Sequence, residues 1–178
     1  MSPEELASRL VIDFPDFGLQ ARVEHDHAVV EVAPERIAAL LEALKSHADH
    51  DFAMLMDLTA VDWFEKRAVR FDLVYHLYSV NHNHRLRVKA AIAENQHAPT
   101  VCRLWPIADW FEREVWDLYG IKFDGHPNLK RLLTYDEFKG HALRKDYPYN
   151  KTQPLIEESW PARSIQIHMK EAGKIHRP

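Results

Sequence analysis

The sequence predicts an α+β fold: a small, mostly antiparallel sheet with helices packed on it, followed by an extended C-terminal arm. Three observations carry this. VRFDLVYHLYS (69–79) and RLRVKAAIA (85–93) alternate apolar and polar residues, and the turn-like VNHNH between them makes an antiparallel hairpin with one wet face. PERIAALLEALKSHAD instead spaces Ile37, Leu40, Leu41 and Leu44 along one side of a helix. From about residue 124 the character changes, with four prolines in residues 124–164 and little sustained periodicity.

The remaining elements follow in chain order. Residues 2–12 read as a short amphipathic helix, with Ser2 and Pro3 as start signals and Glu4 and Glu5 in the first turn. Strands are expected at 20–25 and 28–33 around a tight turn near Asp26 and His27, and Pro34 opens the second helix. Another strand is expected at about 52–61, ahead of the hairpin. Thr100 can cap a short helical turn that ends before Pro106, and residues 107–119 form the next helix, closed by Gly120. The arm keeps Leu, Ile, Phe, Tyr and Trp at intervals, so it reads as ordered chain lying on its own domain or on another protein. The organisation is therefore a domain at 1–123, including the helix 107–119, and an arm at 124–178.

Composition narrows the function. A chain of 178 residues with a net charge of -4 lacks the excess of basic groups that nucleic-acid binding needs. The longest mostly apolar segment, FAMLMDLTAVDWF (52–64), is interrupted by Asp57 and Asp62 and is too short and polar to span a bilayer. The acidic start MSPEELASRL has no apolar signal core, which points to a soluble or peripheral protein of the cytoplasm. Cys102 is the single cysteine, so a cluster held by four thiolates cannot be built from this chain. None of the five glycines forms a G-x-G-x-x-G phosphate loop.

The densest stretch is WFEREVWDLYGIKFDGHP (110–127), which sets acids and an arginine among large aromatics. On a helical wheel Ile107, Phe111, Val115 and Leu118 form an apolar stripe, with Glu114 at its edge beside Trp110. Arg113 and Asp117 are spaced to pair, while Trp116, Tyr119 and Glu112 lie on the opposite flank. Glu114 then has three readings: a core carboxylate met by an arginine from 130–131 or 144–145, a group buried against a partner protein, or a catalytic acid. The last lacks a nucleophile, metal set or cofactor loop to accompany it.

Twelve histidines raise the question of a metal. The pairs His25/His27, His47/His50 and His82/His84 have no carboxylate or cysteine at strong ligand spacing, and surface or turn roles are the plainer reading. His126 and His141 each follow a glycine and precede basic residues, in GHPNLKR and GHALRK. Structural hydrogen bonds are the default for both; a metal-dependent enzyme built on them and nearby carboxylates is the rival.

These residues resemble the signature of the C-subunit family of NADH-quinone oxidoreductase, respiratory complex I. EREVWDLYGIKFDGHPNLKRLL (112–133) and GHALRKDYP (140–148) carry the resemblance. They include Glu112, Arg113, Glu114, Asp117, Gly120, Phe123, Gly125, His126, Pro127, Arg131, His141, Leu143, Arg144, Lys145, Asp146, Tyr147 and Pro148. Ala142 departs from the pattern, standing where family members often have proline, which leaves that turn less rigid.

The resemblance implies a non-catalytic structural subunit, peripheral on the cytoplasmic face of the bacterial inner membrane. No cofactor or metal is implied for this chain; FMN and iron–sulfur clusters belong to partner subunits. The implied partners are other peripheral-arm subunits, especially those bearing the quinone site and the terminal cluster. The signature residues carry over as a structural and interface set. In this picture the arm at 124–160 wraps a neighbour, braced by Glu112, Arg113, Glu114 and Asp117 against Arg131, Arg144 and Lys145. The equivalent subunit of a membrane-bound hydrogenase or formate hydrogenlyase shares the signature.

Overall fold

The computed structural model describes residues 1–151 and 153. Its elements are α1 (Pro3–Asp13), β1 (Gln20–Glu24), β2 (His27–Glu31), α2 (Ile37–Ser46), β3 (Met54–Asp62), β4 (Phe71–Ser79), β5 (His84–Ile92), β6 (Ala98–Pro99), α3 (Ala108–Tyr119) and β7 (Phe123–Asp124). The fold is α+β, as the patterning predicts.

Local chemistry explains the helices. Ser2 accepts the Glu5 amide while the Glu5 carboxylate accepts the Ser2 amide, a reciprocal cap that starts α1 with Pro3 in its first turn. The Pro34–Arg36 segment is a single 3-10 turn, and α2 proper starts at Ile37, so the proline begins the element one turn before the helix. Ile37, Leu40, Leu41 and Leu44 are all fully buried.

The five-stranded sheet runs in the order β1-β2-β5-β4-β3. Its pairs are antiparallel except β2 with β5, which run parallel with Val30 opposite Val88. The chain therefore leaves β2, crosses through α2, forms the β3–β4 pair and inserts β5 in the centre. Phe71, Leu73, Tyr75 and Leu77 on β4 join Leu86, Val88 and Ala90 on β5 in the core shared with the helices. The opposite face carries charged pairs, including Arg22 with Glu24 and Glu31, and Lys89 with Glu24. That is the wet face the alternation of the hairpin requires.

α1 packs over β1 and β2, and α3 packs over β3. A short parallel pair, β6 with β7, ties the chain entering α3 to the chain leaving it. Among the described residues no helix is long and apolar enough to cross a membrane. The part of the arm at 154–178 lies outside the described residues, as does residue 152.

Candidate functional site

Helix α3 buries a different face from the one its apolar residues predict. Ile107, at the head of the expected stripe, is 47% exposed, and Phe111 and Leu118 are only half-buried. The buried positions are Ala108, Glu112, Arg113, Val115 and Asp117. Glu112 enters the core because the preceding turn supplies its donors. Its Oε1 accepts the Val101 amide at 2.7 Å and its Oε2 accepts the Thr100 hydroxyl at 2.6 Å. Burial raises its pKa above the ordinary carboxylate value, outweighing those donors.

Asp117 is fully buried and organises the arm. Its Oδ2 accepts the amides of Leu132, Leu133 and Thr134 at 3.0, 2.7 and 2.9 Å. Its Oδ1 accepts Arg131 Nη1 at 2.7 Å and the Thr134 hydroxyl. Burial pushes the pKa of Asp117 up, but Thr134, Arg131 and Leu133 together hold it well below the usual carboxylate range. The expected Arg113–Asp117 pair is absent among the described residues. Arg113 instead donates to the carbonyls of Lys130 and Arg131 at 3.2 and 3.0 Å. Both side chains reach the 130–134 segment rather than each other, because that segment offers Asp117 a row of amides and Arg113 a pair of carbonyls.

Further along, the arm stays bonded to its own domain. Arg131 also donates to the carbonyls of Phe138 and Gly140, and its guanidinium lies 5.7 Å from the Trp116 ring centroid. His141 Nδ1 meets the Asp117 carbonyl at 2.9 Å, and the Leu143 amide donates to the Leu118 carbonyl at 3.0 Å. Arg144 donates to the Tyr119 carbonyl at 2.7 Å and to Glu94 at 3.2 Å. Lys145 does not supply the expected counter-charge. It contributes its backbone amide, which donates to Asp62 at 2.8 Å, while its side chain is exposed.

Asp146 pairs with Arg70, a residue that no sequence motif singles out. Arg70 is buried and forks onto Asp62 with two bonds of 3.0 Å, reaching Glu94 and Asp146 at 2.7 Å each. Tyr147 stacks on Phe138 with 5.7 Å between centroids and accepts from Gln153 at 2.8 Å. Phe123 is buried in β7, whereas Gly125, Pro127 and Pro148 are exposed. Glu114, half-buried, has no ion pair or side-chain hydrogen bond among the described residues.

Gly120 adopts a left-handed φ of 81°, and a Cβ there would sit 2.6 Å from the His141 ring. Gly120→Ala is expected to cost about 1–3 kcal/mol through backbone strain and displacement of His141. Urea unfolding of the variant checks this; an unchanged midpoint would count against the packing described.

His126 and His141 do not share a site. Cys102, Glu112 and His126 do converge, with one ligand-type atom of each within 4.8 Å of the others. The His126 ring is already committed. Its Nδ1 accepts the Asn128 amide at 3.0 Å, so the proton lies on Nε2, which faces the Asp109 carbonyl at 3.2 Å. Coordination through Nε2 would put a proton on Nδ1 against the Asn128 amide. The trio fits a hydrogen-bonded cage around a buried glutamate better than an ion site.

The charge cluster has a definite pH response. Burial lowers the His141 pKa from 6.5, so its contribution is complete above that pH and is lost as pH falls through the folded value. Asp62, Asp117 and Asp146 are lowered from 3.8, so theirs is complete above about pH 4 and is lost further into acid. Glu112, raised by burial, works in the opposite direction. Stability from pH 8 to 3 should hold near neutrality and decline below about 6.5. A stability that increases steadily into acid would contradict these assignments.

A family model described as the respiratory-chain NADH dehydrogenase 30 Kd subunit matches residues 30–153, a span that holds both the sheet's central strands and the whole charge cluster. The chain belongs to this family. Relatives named as the C-subunit of NADH-quinone oxidoreductase agree. That of Dinoroseobacter shibae is 43% identical over 145 residues, covering 82% of this chain and 67% of the relative. That of Rhodobacter capsulatus is 45% identical over 145 residues, covering 82% and 72%. Among solved structures, the trypsin-resistant fragment (1-134) of Nqo5 superposes with a TM-score of 0.59 at 30% identity, covering 68% of this chain and 98% of the fragment. A chain of an archaeal membrane-bound sulfane sulfur reductase gives 0.68 at 22% identity, covering 98% and 95%, and shares the fold. The names of the close relatives favour the quinone oxidoreductase over the hydrogenase reading.

Proposed function

We propose that this 30 kDa-family chain acts as a non-catalytic structural and assembly subunit of the peripheral arm of NADH-quinone oxidoreductase. That enzyme passes electrons from NADH through FMN and iron–sulfur centres to quinone, and in this reading those groups belong to partner subunits. The observation that carries the proposal is the family match over 30–153, a span that includes the α3 charge cluster.

The geometry supports a structural role. The cluster's buried acids and bases bond to backbone amides, carbonyls and one another, which orders the arm against α3. Trp110, 53% exposed, and Ile107, Leu133 and Leu143 leave apolar surface on α3 and the arm of the kind that anchors contacts between proteins. The signature residues at 112–148 form the structural and interface set. The partners are the quinone-site and terminal-cluster subunits, and the assembly is peripheral on the cytoplasmic face of the inner membrane.

Glu114 is the sharpest test because nothing described within the chain holds it. Glu114→Ala is expected to leave the isolated chain within about 0.5 kcal/mol of its original stability. The same variant, expressed in its native membrane, should lower the amount of partner subunits recovered with a tagged chain. Arg144→Ala should lower both stability and recovery, since Arg144 also holds the Tyr119 carbonyl and Glu94. Fully assembled enzyme with a normal complement of subunits but lost turnover in the Glu114 variant would overturn the structural reading.

A further inference from the structure

The end of α1 meets the loop that follows α2, and side chains tie the two together. His50 Nε2 lies 2.8 Å from Asp13 Oδ2, while Arg9 reaches Asp13 at 3.4 Å and Asp49 at 3.2 Å. The Phe14 ring packs against His47 and His50, with centroids 5.3 and 5.5 Å away. On its other side the loop is closed onto the β4–β5 turn. Asn81 donates to Asp51 at 2.6 Å, and the His82 ring meets the Ala48 carbonyl at 3.2 Å. Asp51 has a left-handed φ of 42°, which a residue other than glycine keeps only while its surroundings impose it.

His50 sits at the centre of this contact and is fully buried. An ionised carboxylate only accepts, so the neutral ring already commits its one proton to Asp13 through Nε2. A second proton would enter at Nδ1, which is buried without a hydrogen-bond partner. An N–H left there without an acceptor carries the full cost of its desolvation. Burial lowers the His50 pKa from 6.5; Asp13 opposes that shift, while His47 on the loop and Arg9 on α1 add to it. From the sheet side His84 on β5 acts on His50 and is itself under the influence of the N-terminal amine and His82. Asp49 and Asp51 are engaged by Arg9 and Asn81.

We propose that the α2–β3 loop is a proton-operated latch on α1: a proton taken up at His50 Nδ1 parts the loop from the end of the helix and leaves the sheet folded. The buried N–H and the like charges of His47 and Arg9 push the ring outward, and relief of the Asp51 backbone favours the same movement. The sign follows from a folded value below the free one. The latch is complete above pH 6.5 and weakens as pH falls toward the folded value of His50. One proton taken up on opening weakens it by up to about tenfold per pH unit. His84, lowered in the same way, acts in the same direction. Asp13 is lowered from 3.8 and stays ionised throughout this window.

The test is amide hydrogen exchange of the full chain at pH 7.5 and 5.5, corrected for the intrinsic rate at each pH. Amides at the end of α1 and in the loop 47–52 are expected to be less protected than those of β4 and β5 at both values. Their protection should fall by up to about tenfold at the lower pH. In His50→Gln, which keeps a neutral donor toward Asp13, that fall should shrink to about twofold or less. Protection that does not change with pH, loop and sheet amides that open only together, or a full acid response in His50→Gln overturns the proposal. Should that variant not fold, ring 15N spectra of the original chain decide. His50 is expected to keep its Nε2–H form to below pH 6.5, with the 47–52 amide signals shifting at the same midpoint. A His50 ring already charged at neutral pH, or loop signals that follow another histidine, overturns it.

Discussion

Asp117→Ala is expected to destabilise the chain by about 3–5 kcal/mol, the range for breaking a buried, hydrogen-bonded charge pair. The loss is large because one carboxylate serves five donors: the amides of Leu132, Leu133 and Thr134, the Thr134 hydroxyl and Arg131. Removing it strands a mostly buried guanidinium and three amides together. Asp117→Asn should recover only part of the loss, since its NH2 would point a donor at donors. Urea unfolding at constant m-value measures the change, and hydrogen exchange at 132–134 should report release of the arm. A loss below about 1 kcal/mol would mean that the arm is held by other contacts.

Arg70→Ala should be comparably damaging, again about 3–5 kcal/mol. Arg70 side-chain exposure is 8% and that of Asp62 is 0%, so deletion leaves a buried carboxylate without its cation. The Lys145 and Phe64 amides also reach Asp62, but neither carries a charge. Arg70→Lys should not restore stability, because an ammonium cannot fork onto Asp62 while reaching Glu94 and Asp146. Asp146 is 39% exposed, so Asp146→Ala should cost about 1 kcal/mol or less. A double-mutant cycle between Arg70 and Asp146 isolates the sheet-to-arm coupling; a zero coupling would show that this ion pair does not hold the arm to the sheet.

These two residues show what pattern reading can reach. The hairpin, α2 and the Gly120 cap are legible because their signals are local: alternation, helical spacing and a glycine after the last turn. The parallel β2–β5 pair is not, since it depends on where a distant strand inserts. The α3 stripe misleads because a wheel counts apolar residues and ignores donors. Thr100 and Val101, just upstream, make Glu112 a better core residue than Phe111. The signature places Asp117 and Arg131 among the important residues, but the Arg113–Asp117 spacing suggests the wrong partner. Arg70 is invisible to pattern because its partners Asp62, Glu94 and Asp146 are far apart in the chain, and no short motif joins them.

The distances along the chain between these partners also set an order in time. A ribosome delivers every strand of the large sheet by residue 92, yet Arg70 has its full set of carboxylates only once Asp146 has emerged. Asp117 likewise waits for the amides at 132–134. The nascent domain thus carries Asp117 without its amide and guanidinium donors, and Arg70 without its third carboxylate, through the synthesis of its last elements. Completion of the fold coincides with delivery of the arm, so a chain halted before residue 146 would present a formed sheet that is still chemically unfinished.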